Sequence, residues 1–437
     1  AMAEEERFTR IKHDYSFPRN AIRFVLEKTK TRPEELEYVV FYEKPFLKFE
    51  RVLLTSLSFF PFTRRVFTHS MASWIKEKLW IRSMIAEHLG IEEERVLFTH
   101  HHLSHAASAF FCSPFERSCI LTVDGVGEYT TTALGIGEGN EIKLIKHINF
   151  PHSLGLLYSA FTAYLGFRVN NGEYKVMGMS PYGKPIYKDK VYKLIDVKSD
   201  GSFRLNLDYF SFYKSTQETY NKKFVELFGE PRDRSMKDKF EQRHADIAAS
   251  IQAVTEEVLI KIVNHLYETT GCENLCMAGG VALNSVANYK IWKETKIKNM
   301  YIQPAAGDAG GALGAALYVY YTLLKKKRKF ILKHASWGAD YDDKYIKNFL
   351  EENNIKYEKY SEKETINFIA ENLSKGKVIG YFYGRFEWGP RALGNRSILA
   401  DARKKNMKDK VNKKIKFRVA FRPFAPSVLV ECAQKYF

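Results

Sequence analysis

The 437-residue sequence predicts an α/β protein of two unequal parts, a larger domain over residues 1–335 and a smaller α/β domain over 336–437. Three observations predict it. Strand-like apolar runs ending in glycine turns recur along the chain: SCILTVDGVGE at 118–128, NLCMAGGVALN at 274–284, KNMYIQPAAGDAGGALGAA at 298–316 and KVIGYFYGRFEWG at 377–389. Helix-periodic segments, among them Asp246 to Thr269 and Asp343 to Asn353, lie between them, an alternation that indicates α/β layers. From residue 325 the string KKKRKFILKHASWGADYDD breaks the pattern with a charge run and then turn residues, marking a domain junction.

Composition supports ordinary globular folding. Hydrophobic residues make up 45% and charged residues 27%, which excludes disordered and fibrous classes. Lys and Arg number 68 against 51 Asp and Glu, a net +17 that attracts nucleotides and phosphorylated substrates at long range. The Lys-rich stretches at 325–329 and 404–416 read as solvated surface, so nucleic acid is not the expected partner. Five cysteines, at 112, 119, 272, 276 and 432, do not form an even disulfide framework and indicate a reducing, cytoplasmic setting. Cys272 and Cys276 sit in an apolar run without a second pair and read as buried small hydrophobes. The longest apolar run, Val52 to Phe62, is too short to span a bilayer, so no membrane is expected. Its sequence, VLLTSLSFFPF, reads as buried or partner-facing and is the candidate contact of a homodimer.

The strongest local signal is THHHLSHAASAF. In a helix, His101 and His105 share one face one turn apart, the spacing that grips a single ion, while His100 and His102 point elsewhere. Nineteen residues after His105 the strand ILTV ends in Asp124, and Asp308 follows the strand MYIQP in the loop AAGD. Two imidazoles and two carboxylates suit a divalent ion such as iron, manganese or zinc. A histidine pair at this spacing is often plain polar surface; both aspartates lie at strand ends, where ligands of open α/β sheets bind.

Three glycine turns follow apolar strands: Asp124, Gly125, Val126 and Gly127; Gly279 and Gly280; and Gly307, Asp308, Ala309, Gly310 and Gly311. Their backbone amides can approach phosphate closely, and the helical pattern ALGAALYVY would offer its N-terminus to an anion. The three together read as a nucleotide cleft between two lobes. Asn284 suits either a ribose or base contact or the cap of the next helix. In the last segment, GRFEWGPRALGNRSILADAR and NKKIKFRVAFRPFAPSV set Arg391, Arg396, Lys416 and Arg422 among turn-forming Gly389, Pro390, Gly394 and Pro423. Rigid turns holding several cations favour a phosphate or acyl-phosphate pocket over scattered salt bridges.

These strings together resemble the carbamoyltransferase family that includes the nodulation-factor, cephamycin and tobramycin O-carbamoyltransferases. The similar motifs run from EEERFTRIKHDYSFP at 4–18 to RPFAPSVLV at 422–430, with FPHSLGLLYSAFTAYLGF at 150–167, NNGEYKVMGMSPYG at 170–183 and GPRALGNRS at 389–397 the most telling. The resemblance implies an actin-like ATPase or sugar-kinase domain followed by a YrdC-like domain. It implies ATP and carbamoyl phosphate as substrates, carbamoyl adenylate as intermediate, and a small hydroxylated acceptor. It implies His101, His105, Asp124 and Asp308 as ligands of a metal, iron foremost; magnesium is a further candidate ion. It further implies an adenylate cleft of Asp124, Gly125, Gly127, Glu173, Lys175, Gly279, Gly280, Asn284 and Gly310, and a carbamoyl-phosphate pocket of Arg391, Arg396, Lys416, Phe421 and Arg422.

The sequence departs from the family at its ends. Relatives begin with a glycine-containing strand and a His-Asp pair about one hairpin before EEERF, so the acceptor-site histidine is expected in a segment preceding Ala1. His13 and Asp14 belong to the later RIKHD motif, in which Lys12 is the residue left as a catalytic candidate. Relatives also continue past RPFAPSV, so the second domain is expected to be incomplete here. Two other readings compete: a transferase of the tRNA threonylcarbamoyl type, and a non-catalytic nucleotide-binding regulator.

Overall fold

The structure, a computed structural model, describes residues 1–76, 78–236 and 240–436. Two compact units divide between Ala335 and Ser336; Ser235–Phe240 group with the second unit and Trp388–Pro390 with the first.

In the first unit, the short strands Val39–Phe41 (β1) and Val96–Phe98 (β2) pair in parallel, Val39 opposite Val96. Between them the helix Pro45–Ser58 (α1) starts on a proline, whose fixed φ and missing N–H suit a first helical turn. The apolar run from Val52 is thus the end of this helix and the turn after it, and Leu54, Leu57, Phe60 and Phe62 face outward. After β2 comes the helix His101–Phe110 (α2), buried along nearly its whole length.

The central sheet has five strands. Arg117–Val123 (β3), Thr130–Glu138 (β4) and Glu141–Asn149 (β5) form an antiparallel meander. The helices Leu154–Tyr164 (α3) and Glu173–Met179 (α4), a small ladder of Ile195–Val197 (β6) with Phe203–Leu205 (β7), and the 29-residue helix Gln242–Thr270 (α5) follow. Asn274–Ala278 (β8) then pairs parallel to β3, and Asn299–Ile302 (β9) parallel to β8, giving the order β5-β4-β3-β8-β9. Helix Ser285–Glu294 (α6) joins the last two strands, and Asp308–Tyr318 (α7) follows β9. β3 is buried after its first residue and β8 nearly throughout, as the mostly apolar strings CILTV and LCMA require, whereas edge strand β5 is mostly solvent-facing. Because β3, β8 and β9 are parallel and adjacent, their C-terminal ends, each opening into a glycine turn, lie along one edge of the sheet.

The second unit has the helices Asp343–Glu352 (α8) and Glu362–Ser374 (α9) and the antiparallel hairpin Ile379–Phe382 (β10) with Arg396–Leu399 (β11), Ile379 opposite Leu399. A capping box starts α9: Ser361 Oγ accepts the Glu364 N–H, and the Glu364 carboxylate accepts the Ser361 N–H at 2.8 Å. No helix among the described residues is long and apolar enough to cross a membrane.

Candidate functional site

Helical spacing stacks His101 over His105, so that their Nε2 atoms lie 3.0 Å apart. Asp124 is carried to them by the end of β3: its Oδ2 lies 3.1 Å from His101 Nε2 and 3.7 Å from His105 Nε2. Its Oδ1 accepts the Gly280 N–H at 2.9 Å, so the turn after β8 sets the rotation of the carboxylate. Asp308, the first residue of α7, brings Oδ1 to 3.5 Å from His105 Nε2 and 3.7 Å from His101 Nε2. It reaches them because α7 packs almost backbone to backbone on α2; a Cβ at Gly314 would stand 1.9 Å from the Ser104 carbonyl oxygen.

One ligand atom from each of the four residues lies within 4.8 Å of the others. Bonds of ~2.1 Å from nitrogen or oxygen to one ion place neighbouring ligand atoms ~3.0 Å apart at right angles and ~3.4 Å apart in a tetrahedron. The 3.0 and 3.1 Å separations fall in that range and the 3.5–3.7 Å ones lie a few tenths of an ångström beyond it, a gap that small side-chain rotations close, so the residues fit an ion. Both histidines are buried while Asp308 is 58% exposed, so the group opens to solvent on the Asp308 side.

The electrostatics agree. Burial opposes a charged imidazole, but the hydrogen bond to Asp124, the Glu43 carboxylate and the field of Asp308 raise His101 to about 10. His105 moves upward against the same burial, through Asp124 and Asp308. Asp124 is held well below the usual carboxylate range, burial being outweighed by the two imidazoles. Carboxylates that draw a proton onto these rings draw a metal cation by the same field.

The other two histidines are not part of the group. His102 turns into the core, its Nδ1 2.7 Å from Thr122 Oγ1, and burial pushes its pKa well down. His100 is the exposed N-cap of α2.

The residues read as an adenylate cleft separate into two groups. Gly125, Gly127, Gly279 and Gly280 surround the four-residue group, and two are required by packing. A Cβ on Gly127 would stand 2.9 Å from the His101 ring; Gly279, at φ +93°, would put one 2.2 Å from the Val123 carbonyl. Gly310 faces Gln303 and the Ala305 carbonyl, with no room for a side chain. Asn284 takes the capping role: its Oδ1 accepts the Ala287 N–H, and its amide pairs both ways with that of Gln252 at 3.0 and 3.1 Å. Glu173 and Lys175 form no hydrogen bond or ion pair with the four-residue group among the described residues. Glu173 accepts from Ser159 Oγ and the Asn170 and Gly172 N–H groups, and Lys175 lies 5.4 Å over the Phe167 ring.

In the second unit, Arg396 is engaged by a residue that the sequence did not single out. Its Nε donates to Glu387 Oε2 at 2.6 Å, while Glu387 Oε1 accepts the Leu393 and Asn395 N–H groups, so the GPRALGNRS loop wraps a buried carboxylate. Arg391 is exposed. Lys416 has its pKa pushed down by partial desolvation and by the charges of Arg418 and Arg422, which groups those three cations. Phe421 is buried edge-on against Phe240, 5.4 Å between centroids. Lys12 donates to Asn171 Oδ1 at the surface and lies 5.6 Å over the Tyr174 ring. Glu43, Glu128 and Glu387 in loops, and Gln252 inside α5, escaped the sequence reading because a single acidic or amide residue carries no spacing signal.

A two-unit α/β chain with such a group at its parallel strand ends has clear relatives. Residues 1–317 match the carbamoyltransferase N-terminus family and residues 370–437 the carbamoyltransferase C-terminus family. The chain belongs to the carbamoyltransferase family. It is 48% identical over 451 residues to the uncharacterized protein sll1178 of Synechocystis, covering all of this chain and 73% of that protein. It is 36% identical over 450 residues to nodulation protein NolNO of Sinorhizobium fredii, covering all of this chain and 62% of that protein. Nodulation protein NolO of Bradyrhizobium diazoefficiens is 37% identical over 344 residues, 77% of this chain and 59% of that protein. The chain thus spans about three fifths of these two nodulation proteins. A solved structure, T. kodakarensis HypF, matches 57% of this chain and 39% of its own at 15% identity and a TM-score of 0.32, too slight a likeness to argue from.

Proposed function

We propose that the whole protein is an O-carbamoyltransferase that forms carbamoyl adenylate from carbamoyl phosphate and ATP, then transfers the carbamoyl group to a hydroxyl of a small molecule. The observation that carries the reading is the convergence of His101, His105, Asp124 and Asp308 beside three glycine turns, on a chain whose two parts match the two carbamoyltransferase families. In this reading residues 1–335 are an actin-like ATPase-fold transfer domain and residues 336–437 belong to a YrdC-like activating domain.

His101 and His105 would hold a divalent ion through Nε2, Asp124 through Oδ2 and Asp308 through Oδ1, with iron the first candidate and manganese or zinc as substitutes. Once bound, it would supply positive charge beside phosphate oxygens. The chain's own contribution is positional. The two histidines are locked in a buried helix, Gly280 orients Asp124, and the first turn of α7 presents N–H groups beside the site, where they favour an anion. In the second unit, Lys416 and Arg422, with Arg418, offer the charge that carbamoyl phosphate needs, and Arg391 is free to turn toward it. Transfer forms a bond from the acceptor oxygen to the carbamoyl carbon; AMP leaves with the electrons of the broken mixed-anhydride bond, and the hydroxyl proton passes to a base.

The test is carbamoyl-phosphate-dependent pyrophosphate release by the full-length protein, with bound metal counted on the same sample. Release lost in a His101→Ala/His105→Ala variant together with the metal supports the reading. Tight ATP binding with no release under iron, manganese or zinc would sink it, and release that needs threonine and bicarbonate instead would transfer the protein to the threonylcarbamoyl class.

A further inference from the structure

Helix α2, which carries both histidines, begins without a side-chain cap: His100, at the N-cap, makes no capping hydrogen bond. The N–H groups of a first helical turn still need acceptors, the more so when the turn is buried. The acceptor is Glu128, the last residue of DGVGE, itself only 5% exposed. Its Oε1 accepts the His101 N–H at 3.0 Å, with Oε2 at 3.2 Å from the same nitrogen. The same Oε1 accepts the N–H of Lys44, the residue that opens α1, at 2.9 Å. One carboxylate thus ties together the turn after β3, the segment after β1 and the first turn of α2. Its neighbour Gly127 lies against the His101 ring, so this short turn constrains both the backbone and the imidazole of one residue.

We propose that Glu128 is a positioning residue of the His101–His105 centre: by accepting the N–H groups of His101 and Lys44 it fixes the start of α2 and aims both Nε2 atoms at Asp124. This rests on the metal reading above. Glu128 is not a ligand, since its oxygens are turned to backbone amides and it is absent from the converging group. A carboxamide can do its work, because Oε1 alone accepts both N–H groups and a Gln keeps one such oxygen.

The test measures zinc and manganese affinity by chelator competition in the full-length protein, with amide hydrogen exchange recorded on the metal-free form. Glu128→Ala should weaken metal binding about 10- to 100-fold, the range for outer partners of metal ligands, and speed exchange at residues 44 and 101–104. Glu128→Gln should restore affinity to within about threefold and restore slow exchange. Should Glu128→Ala fail to fold, Glu128→Asp, one methylene too short to span both amides, is expected to weaken binding in its place. Wild-type affinity in Glu128→Ala or Glu128→Asp overturns the proposal, as does equal weakening by Ala and Gln, which would make charge rather than hydrogen bonding the cause. A wild type that binds neither metal, nor iron(II) added without oxygen, overturns the metal reading itself, and unchanged exchange in Glu128→Ala would then separately dismiss Glu128 as the anchor of α2.

Discussion

Gly314 is where the candidate site is most sensitive to a single methyl group. A Cβ there would stand 1.9 Å from the Ser104 carbonyl oxygen and 2.7 Å from the Ser108 nitrogen, both backbone atoms of α2 that no rotamer change can move. Ordinary contact needs ~3.4 Å or more, so Gly314→Ala must drive α7 and α2 apart by ~1.5 Å or force an equivalent tilt. Such overpacking costs about 1–3 kcal/mol. Asp308 lies six residues toward the N-terminus of the same helix, ~9 Å along its axis, and moves with it. A comparable displacement would take its Oδ1 from 3.5 Å to beyond reach of any ion held by His105. Gly314→Ala should therefore lose about 1–3 kcal/mol in urea denaturation and at least tenfold in metal affinity. Gly380→Ala, where nothing lies within 4 Å of the added atom, is the control and should stay within about 0.5 kcal/mol with metal affinity unchanged. A Gly314→Ala protein with wild-type stability and affinity would refute the close-packing argument.

Three further outcomes are expected. Asn284→Ala removes the cap of α6 and should cost about 1 kcal/mol, and Gln252→Ala, which breaks the paired amides but leaves the cap, should cost about as much; urea denaturation reads both effects. Arg396→Ala leaves the buried Glu387 unpaired and should destabilise the second unit by about 3 kcal/mol, whereas Arg391→Ala should leave stability unchanged and raise the KM for carbamoyl phosphate; the reverse pattern would exchange their roles. The Glu387 carboxyl is held below its ordinary value, its burial outweighed by the Leu393 and Asn395 N–H groups and by Arg396. A depressed folded pKa contributes stability above the unfolded value of about 4.5 that is lost as pH falls through the folded one, so Glu387→Gln should flatten the acid limb of unfolding below about pH 4.5.

Much of the site was legible because its parts obey local rules. Helical spacing put His101 and His105 on one face, and apolar strands running into glycine placed Asp124 and Asp308 at strand ends. The roles of the flanking residues were less legible. Asn284 read equally as ribose contact or cap; the cap is present, and its pairing with Gln252, 32 residues away, had no local signal. Arg396 read as part of a phosphate pocket, and no local pattern announced that its Nε is held by Glu387, nine residues earlier. The run from Val52 read as buried or partner-facing, and its helix leaves Leu54, Leu57, Phe60 and Phe62 outward.

Periodicity, residue type and short motifs were enough for the α/β class and the family, and they singled out His101, His105, Asp124 and Asp308, which the fold brings together. That β3 and β8 lie parallel and adjacent, that Gly314 lets α7 meet α2, and that Glu128 caps the helix bearing the histidines emerges from packing alone. Those facts join residues tens to hundreds of positions apart, and contacts at that range are set by how layers pack, which no local pattern encodes.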